Sequence, residues 1–469
     1  YYWTNHKDIT VTAWWPYTAG ETTPPAVKVK ANQSAQKDFD GSDLIVADGQ
    51  TVTYGSPTLR FTHRTVRVTV VLTDYTEGLA SVQLTGLSTE NDNPDKITPY
   101  DKGSNTYIAL VAPQSVEAGT TFITCTFTNG KVFVYKMKNA TDWQAGGEYT
   151  YTVSLAAAKD LGYTIESDGS YTVTSADGLM NIAKLVNGGK SDINITLDTD
   201  IDLTGKDWTP IGTDYDNSYK GTFDGGGHTI TGLTFTTNDE YAGLFGWLNR
   251  AGTVKNVVME GVQITSNQIY GGSIGGVVGY SWGTIENCSV SGSISGTVSV
   301  GGVVGAQRDR SITGCSSSAT VKGTLNVGGV AGQTSFGATL TACYATGNVI
   351  IEIDRTQNIS GGGLVGFNDG ISLLSCYATG NVTSTGSGTG NVHIGGFLGD
   401  NYTTVTACYW KNNHEQGIGY NRRSTEATKV DGTSVTWKNA VDAMNTALQN
   451  AGSEWRYELK GALPTLRKQ

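Results

Sequence analysis

Between residues 65 and 72 the chain alternates Thr65, Arg67 and Thr69 with Val66, Val68 and Val70. A period of two is that of a strand with one face buried. Short runs of the same kind fall at residues 9–14, 82–84, 106–111, 121–127, 131–135 and 149–155. Turn-forming clusters at 20–25, 91–94 and Asn129-Gly130 separate them. Seven or so short strands with such separators predict a β-sandwich over residues 1–155.

The period then changes. After a linker at 156–174, Leu179, Ile182, Ala183 and Val186 form one apolar stripe, preceded by Ser175 and followed by Asn187-Gly188-Gly189. This predicts a short helix capped by the Ser175 side chain. A second stripe, Trp437, Val441, Met444 and Leu448, predicts a helix ending before Ala451-Gly452. Between the helices a pair of small residues, two apolar residues and a Gly recur six times. The first two copies are Ala242-Gly243-Leu244-Phe245-Gly246 and Gly275-Gly276-Val277-Val278-Gly279. The others end at Gly305, Gly332, Gly366 and Gly399, so the last glycines lie 33, 26, 27, 34 and 33 residues apart. One such unit cannot bury its own apolar face, whereas stacked copies can, so the period predicts a β-solenoid. Insertions at 351–357 and 384–390 are expected to bulge from one side. A four-part chain follows: a β-sandwich at 1–155, a linker and N-terminal solenoid cap at 156–236, the repeat β-helix at 237–410 and a C-terminal cap at 411–469. The fold class is all-β, a sandwich followed by a capped, right-handed parallel β-helix with short capping helices.

Composition sharpens this in three places. Gly is 62 of 469 residues without a Gly-X-Y period, which excludes collagen. A net charge of -10 argues against a nucleic-acid partner and gives no support for binding an anionic membrane. No apolar run is long enough to span a bilayer as a helix. The chain starts at Tyr1 without Met, which points to a processed or trimmed product. Five of six cysteines, Cys288, Cys315, Cys343, Cys376 and Cys408, recur at spacings of 27, 28, 33 and 32. Equivalent positions of successive coils stack in register. The spacing therefore favours a ladder of free thiols inside the solenoid over disulfides.

The repeats resemble the GLUG motif family of bacterial surface proteins, most literally at Gly243-Leu244-Phe245-Gly246 and Gly363-Leu364-Val365-Gly366. The approach segment (Asp200-Ile201-Asp202-Leu203, Trp208-Thr209-Pro210-Ile211-Gly212 and the run from Gly221 to Ile230) is similar to that family, as is Leu463-Pro464-Thr465-Leu466. The N-terminal region resembles fimbrillin-like proteins of Bacteroides through the segments 43–47 and 59–64, Ala112-Pro113-Gln114 and the segment 145–150. The resemblance implies a lipoprotein-derived protein of the bacterial outer surface or a fimbria. It supplies no catalytic residues.

Candidate chemistry is sparse. Gly279-Tyr280-Ser281-Trp282-Gly283 has the form of a nucleophile elbow but lacks the strand–turn–helix context. Gly361, Gly363 and Gly366 match a dinucleotide fingerprint that the repeat already explains. The five histidines include no pair at metal-ligand spacing. Asp198, Asp200 and Asp202 alternate along what reads as one strand, which would place them on one face, where an adventitious calcium could bind; no other cofactor is expected. Carboxylates of the central coils (Glu286, Asp309, Glu352, Asp354, Asp369, Asp400) fall at non-equivalent positions, unlike those of a polysaccharide-cleaving groove. Aromatics are the clearer signal. Trp247, Tyr280, Trp282, Phe336, Phe367 and Tyr402 all lie one to four residues after a repeat motif. If the loops leave the same side of each coil, these rings form a ladder that can stack on sugars or anchor a protein; otherwise they pack locally over the bends. The expectation is a non-enzymatic surface or fimbria-associated adhesin. Its partners would be host glycans, mucins or matrix proteins, or other fimbrial subunits. A carbohydrate-active β-helix enzyme and a passive spacer are the alternatives.

Overall fold

A computed structural model describes the chain except for residues 1–4, 76–77, 129–130, 156–158, 167, 269–270, 338, 354–356 and 371. Tyr1, the Asn129-Gly130 turn and Asp354 thus lie outside the described residues. The chain forms two compact units, residues 1–165 and 166–469.

The first unit is a sandwich. One sheet orders Glu148–Ser154, Val66–Thr73, Thr106–Val111 and Tyr100–Gly103. The opposing layer contains Leu79–Leu84, Thr121–Phe127, Lys131–Lys136 and Lys159–Ile165. As the alternation predicts, Val66, Val68 and Val70 point inward together with Leu72, and pack with Phe122, Cys125, Phe127 and Trp143. Trp143 donates to the Tyr151 hydroxyl at 2.9 Å, which satisfies its indole inside the core. A third, antiparallel sheet joins Ile9–Trp15, Ile45–Val52 and Thr62–His63.

The second unit is a solenoid of four parallel sheets. One coil runs through Ser273–Gly275, Val278–Ser281, Thr284–Glu286 and Ser289–Ser295 before the next begins at Ser299–Gly301. Ile285, Ile312, Leu340, Leu373 and Val405 stack in register and fill the interior. Parallel pairing begins well before the first Gly-rich motif, since Tyr171–Val173 pairs with Ile195–Leu197, which pairs with Thr222–Asp224. It also continues past residue 410. Ile418–Asn421 is the seventh strand of its sheet, and Thr428–Lys429 pairs with Tyr409–Trp410. The expected bulges differ too. Ile351, Glu352 and Ile353 pair with Ser384, Thr385 and Gly386, because insertions of matched length on adjacent coils can satisfy each other's backbone groups.

The helix Ala176–Asn187 is capped by Ser175, whose hydroxyl accepts from the Gly178 N–H, and buries Leu179, Ile182, Ala183 and Val186. The helix Trp437–Asn450 begins with a capping box between Thr436 and Asn439. It lies along the flank of the stack. Its Trp437, Val441, Met444 and Leu448 pack with Ala342, Tyr377 and Tyr409 of successive coils, and with Trp455 and Tyr457 of the hairpin that follows. In that hairpin Trp455–Glu458 pairs with Thr465–Lys468. The Tyr457 hydroxyl donates to the Ser375 carbonyl at 2.9 Å, and Lys468 reaches Glu286 at 2.8 Å.

Candidate functional site

The Gly-rich motif marks one corner of each coil, between the sheet that begins at Tyr241–Ala242 and the sheet that begins at Phe245–Leu248. The closing glycine abuts the backbone of the first of these sheets. A Cβ on Gly279 would stand 2.7 Å from both Ala242 N and Ser273 O, and one on Gly366 would stand 2.5 Å from Val327 N. Side chains cannot occupy that space, so the two sheets close on each other and their outward side chains meet along a seam. Tyr241 meets Trp247 and Tyr280, Ser299 donates to Gln333, and His393 meets Asp400.

Register fixes which side chains share this face. Trp247, Tyr280, Ala306, Gln333, Phe367, Asp400 and Tyr420 form one column. The column beside it points inward and is polar, with Ser281, Gln307, Thr334, Asn368 and Asn401 all buried. Asn368 donates to Asn401 at 2.9 Å, Asn401 donates to Asn421 at 2.9 Å, and Thr334 donates to Asn368 at 2.8 Å. The residues after this polar column are Trp282, Arg308, Ser335, Asp369, Tyr402 and Arg422 in turn, all at least partly exposed except Ser335, which is buried.

The six aromatics expected to form a ladder therefore share one face but gather in two groups, with Ala306 and Gln333 interrupting the column between them. In the first group Trp247 and Tyr280 lie 4.2 Å apart by ring centroid, and Trp247 and Trp282 lie 6.2 Å apart. Tyr215 and Tyr241 complete this cluster, Tyr215 standing 5.9 Å from each indole. Phe336 stands at its rim, 74% exposed and in a left-handed conformation. In the second group Phe367 lies 5.6 Å from Tyr402, which lies 6.4 Å from Tyr420, and Tyr420 stacks on His393 at 4.7 Å. Each group holds an arginine. The Arg308 guanidinium lies over Tyr280 and Phe336 at 5.7 and 5.8 Å, and that of Arg422 over Tyr402 and Tyr420 at 4.7 and 5.8 Å.

Four buried side-chain polar atoms lack a partner among the described residues: Trp247 Nε1, Trp282 Nε1, Arg308 Nε and Gln307 Oε1. All belong to the first group or the residue beside it. A buried polar atom left unpaired costs about 1–3 kcal/mol, so their concentration in one place singles out this part of the face.

Sequence spacing alone misses Tyr215, Tyr241, Arg308, His393, Tyr420 and Arg422. Ile418-Gly419-Tyr420-Asn421 does repeat the apolar–Gly–aromatic–Asn pattern of Val365-Gly366-Phe367-Asn368, and that degenerate seventh copy was the available signal for Tyr420. Tyr215 and Tyr241 carry no such mark.

The three aspartates do not lie on one strand. The chain turns a corner between Ile195–Leu197 and Ile201–Asp202, so Asp198 and Asp200 fall outside strands. The alternation that suggested a common face is broken by that bend. Asp200 accepts from Thr229 N at 2.9 Å and meets His228 Nδ1 at 3.3 Å, while Asp202 accepts from Thr204 N at 2.9 Å. The backbone donor from Thr229 holds the Asp200 carboxyl below the usual range, and the hydrogen bonds from Thr204 do the same for Asp202. Among the described residues no group of three His, Cys, Asp or Glu side chains is placed to hold a metal ion. Four of the coil carboxylates are engaged separately from one another: Glu286 by Lys468, Asp309 by Arg250, Glu352 by Lys322, and Asp400 by His393 and Ser360. Ser281 is buried in the polar column, with its hydroxyl bonded to Gly283 N–H and C=O.

The repeat cysteines sit at the turn after the Thr284–Glu286 position of each coil, all buried with free thiols. The Cys376 sulfur accepts from Cys343 N at 3.4 Å, and the Cys343 sulfur from Cys315 N at 3.4 Å. Each Cys follows a left-handed residue, Asn287, Gly314, Ala342, Ser375 or Ala407. Burial pushes the thiols of Cys288, Cys343 and Cys376 well above their usual range.

The family described as fimbrillin-like matches residues 1–175, and the GLUG motif matches residues 270–295. The N-terminal unit is fimbrillin-like, and the solenoid carries the GLUG motif. Halomucin of Haloquadratum walsbyi is 38% identical over 102 residues, covering 22% of this chain and 1% of halomucin. A protein of Evansella cellulosilytica, provisionally named a Gly-rich membrane protein, is 33% identical over 132 residues, covering 26% of this chain and 14% of its own length. The chain thus spans only a small part of these curated relatives. A crystal structure from Bacteroides ovatus, provisionally named an immunoglobulin A1 protease, is similar with a TM-score of 0.52 at 21% identity, covering 64% of this chain and 93% of that one. At that identity the likeness is one of fold. No described helix is long and apolar enough to cross a membrane.

Proposed function

We propose that this protein is a non-enzymatic adhesin of the bacterial surface or of a fimbria, binding host or matrix glycans or proteins through its solenoid. The observation that carries the reading is the fimbrillin-like match over residues 1–175, joined in one chain to a solenoid that gathers aromatics on one face, from the exposed Phe336 through half-buried rings to the buried Trp247. In this reading the sandwich serves attachment or assembly. The stacked coils display Trp247, Tyr280, Trp282, Phe336, Phe367 and Tyr402 along one side, and flat rings at that density suit sugar faces and protein anchors alike. Attachment by a lipid-modified precursor and the division of labour between 1–155 and the regions beyond it belong to the same proposal. A calcium ion near Asp198, Asp200 and Asp202 has no role in it.

The test is binding of the folded chain to host glycans, mucins and matrix proteins, beside a Trp247→Ala/Trp282→Ala/Phe367→Ala variant whose fold is checked by circular dichroism. The same incubations are assayed by mass spectrometry for released sugars or cleaved peptides. Saturable binding lost in the variant, without turnover, supports the adhesin. Turnover overturns the non-enzymatic reading, and silence in both assays favours a passive spacer.

A further inference from the structure

We infer that the aromatic face is a receptor for acidic glycans, with two anion-binding subsites centred on Arg308 and Arg422. The inference rests on the adhesin reading and names its ligand class. Each guanidinium is flanked by two rings, Tyr280 and Phe336 in one case and Tyr402 and Tyr420 in the other. Neither forms an ion pair with a carboxylate among the described residues. Arg308 donates to the Ser335 hydroxyl at 2.9 Å and Arg422 to the Tyr420 hydroxyl at 3.4 Å. By contrast, Arg250 on the same side is neutralised by Asp309. In a chain of net charge -10, two arginines held by rings and outside any direct ion pair form local positive points in a negative field, with the buried Asp400 acting on Arg422 from a distance.

An independent observation points the same way. Trp247 Nε1, Trp282 Nε1 and Arg308 Nε are buried donors without acceptors among the described residues, and all three residues belong to the cluster around Trp247 and Tyr280. Trp247 itself is only 8% exposed, and Tyr215, 59% exposed, covers both indoles. A ligand that moved the Tyr215 ring aside could supply acceptor oxygens to these donors, a carboxylate or sulfate to Arg308 and a flat sugar face to the rings.

The spacing sets the ligand's length. Arg308 and Arg422 directly follow Gln307 and Asn421, which stand four rungs apart in one register column. At about 4.8 Å per rung the subsites are about 19 Å apart. Asp369 lies midway and disfavours an anion between them. The match is therefore a chain of several sugars carrying separated anionic groups, held at two points, with the gain in avidity that two linked contacts give.

The experiment measures binding of the full chain to polygalacturonate and to its carboxyl-reduced form, and to dextran sulfate and dextran, at low and high salt. Single-stranded DNA and poly-glutamate serve as non-glycan polyanions. The variants are Arg308→Gln, Arg422→Gln, the double variant, Arg308→Lys, and Phe336→Ala at a side chain too exposed to matter for folding. The expected result is binding to an anionic glycan and not to its neutral form, weakened about tenfold by each Gln variant and nearly abolished by both. Phe336→Ala should weaken it, and Arg308→Lys should restore part of it. Preference for polygalacturonate over dextran sulfate, or the reverse, tells carboxylate from sulfate as the group recognised. Equal binding to neutral forms, no effect of the double variant, or equal binding to DNA or poly-glutamate overturns the inference. If neutral glycans or proteins bind independently of both arginines, the adhesin reading stands and this inference alone falls. If nothing binds here this inference falls, and the adhesin reading falls with it only when the panel of host glycans, mucins and matrix proteins is silent too.

Discussion

Replacing Gly366 by Ala tests why the repeat ends in glycine. Gly366 is not among the positive-φ residues, so alanine meets no backbone strain there. Its Cβ, however, would stand 2.5 Å from Val327 N, 2.6 Å from Gly332 O and 2.9 Å from Asn326 C. Ordinary contact begins at 3.4 Å. The shortest approach is thus short by about 0.9 Å, and all three atoms belong to backbone that cannot rotate away. Overpacking of this kind costs about 1–3 kcal/mol, and the rigid partners put this case at the upper end. The reduced freedom of the unfolded chain returns about 0.5 kcal/mol, leaving a net loss of about 2.5 kcal/mol. With a denaturant slope of about 2–3 kcal/mol/M, the urea midpoint of the solenoid transition should fall by about 1 M. Gly461→Ala is the control, because nothing lies within 4 Å of its Cβ and its φ is also ordinary, so its midpoint should stay or rise slightly. If Gly366→Ala and Gly461→Ala unfold at the same urea concentration, close approach of the two sheets is not what the glycine serves.

Three further outcomes are expected. Asn368→Leu should lower stability by about 2–4 kcal/mol, measured by the same urea titration, because it strips partners from Thr334 and Asn401 inside the polar column. Native thiols should resist an aromatic disulfide reagent at neutral pH and all six should react in denaturant, since every Cys is buried and Cys125 is pushed up to about 12 by desolvation; rapid labelling of the native chain would contradict the buried ladder. The Asp431 carboxyl accepts from Val435 N and Thr433 N, which hold it at about 2 in the folded chain. A folded value below the unfolded one adds stability above about pH 4 that is lost as pH falls toward 2. Asp431→Asn should therefore flatten the acid limb of the thermal melting profile, and an unchanged limb would remove Asp431 from that account.

Local rules carried the sequence reading far. The alternation at Val66, Val68 and Val70, the Ser175 cap with its four-residue stripe and the recurring Gly-rich motif each report on neighbours within one strand, one helix or one coil. What escaped was register between coils. Repeats of 26 to 34 residues do not say which side chain of one coil lies beside which of the next. The break in the aromatic column at Ala306 and Gln333, and the company Arg308 keeps with Phe336, become visible only once the strands are aligned. The aspartates failed for a related reason: a period of two was followed through a corner where the chain leaves its strand. Tyr215 comes from a loop shaped by Asp214, which accepts from Asp216 N and Asn217 N, and nothing in the spacing ties that loop to coils 30 to 70 residues later.

A stack of coils touching only its neighbours should melt like a zipper, fraying from whichever end is weaker. The hairpin and helix on the flank change that for part of the molecule. Lys468 holds Glu286, the Trp455 ring fills the space a side chain on Gly314 would need, Tyr457 bonds to Ser375, and the helix covers Tyr377 and Tyr409. With Ala342 of the intervening coil packed in the same cluster, one covalent segment thereby clasps five consecutive rungs, which must let go together or not at all. Among the described residues the rungs before Glu286 have no such clasp, and the Trp247 cluster begins among them. The binding face therefore straddles a boundary between a part of the solenoid that yields gradually and a part that yields in one cooperative step.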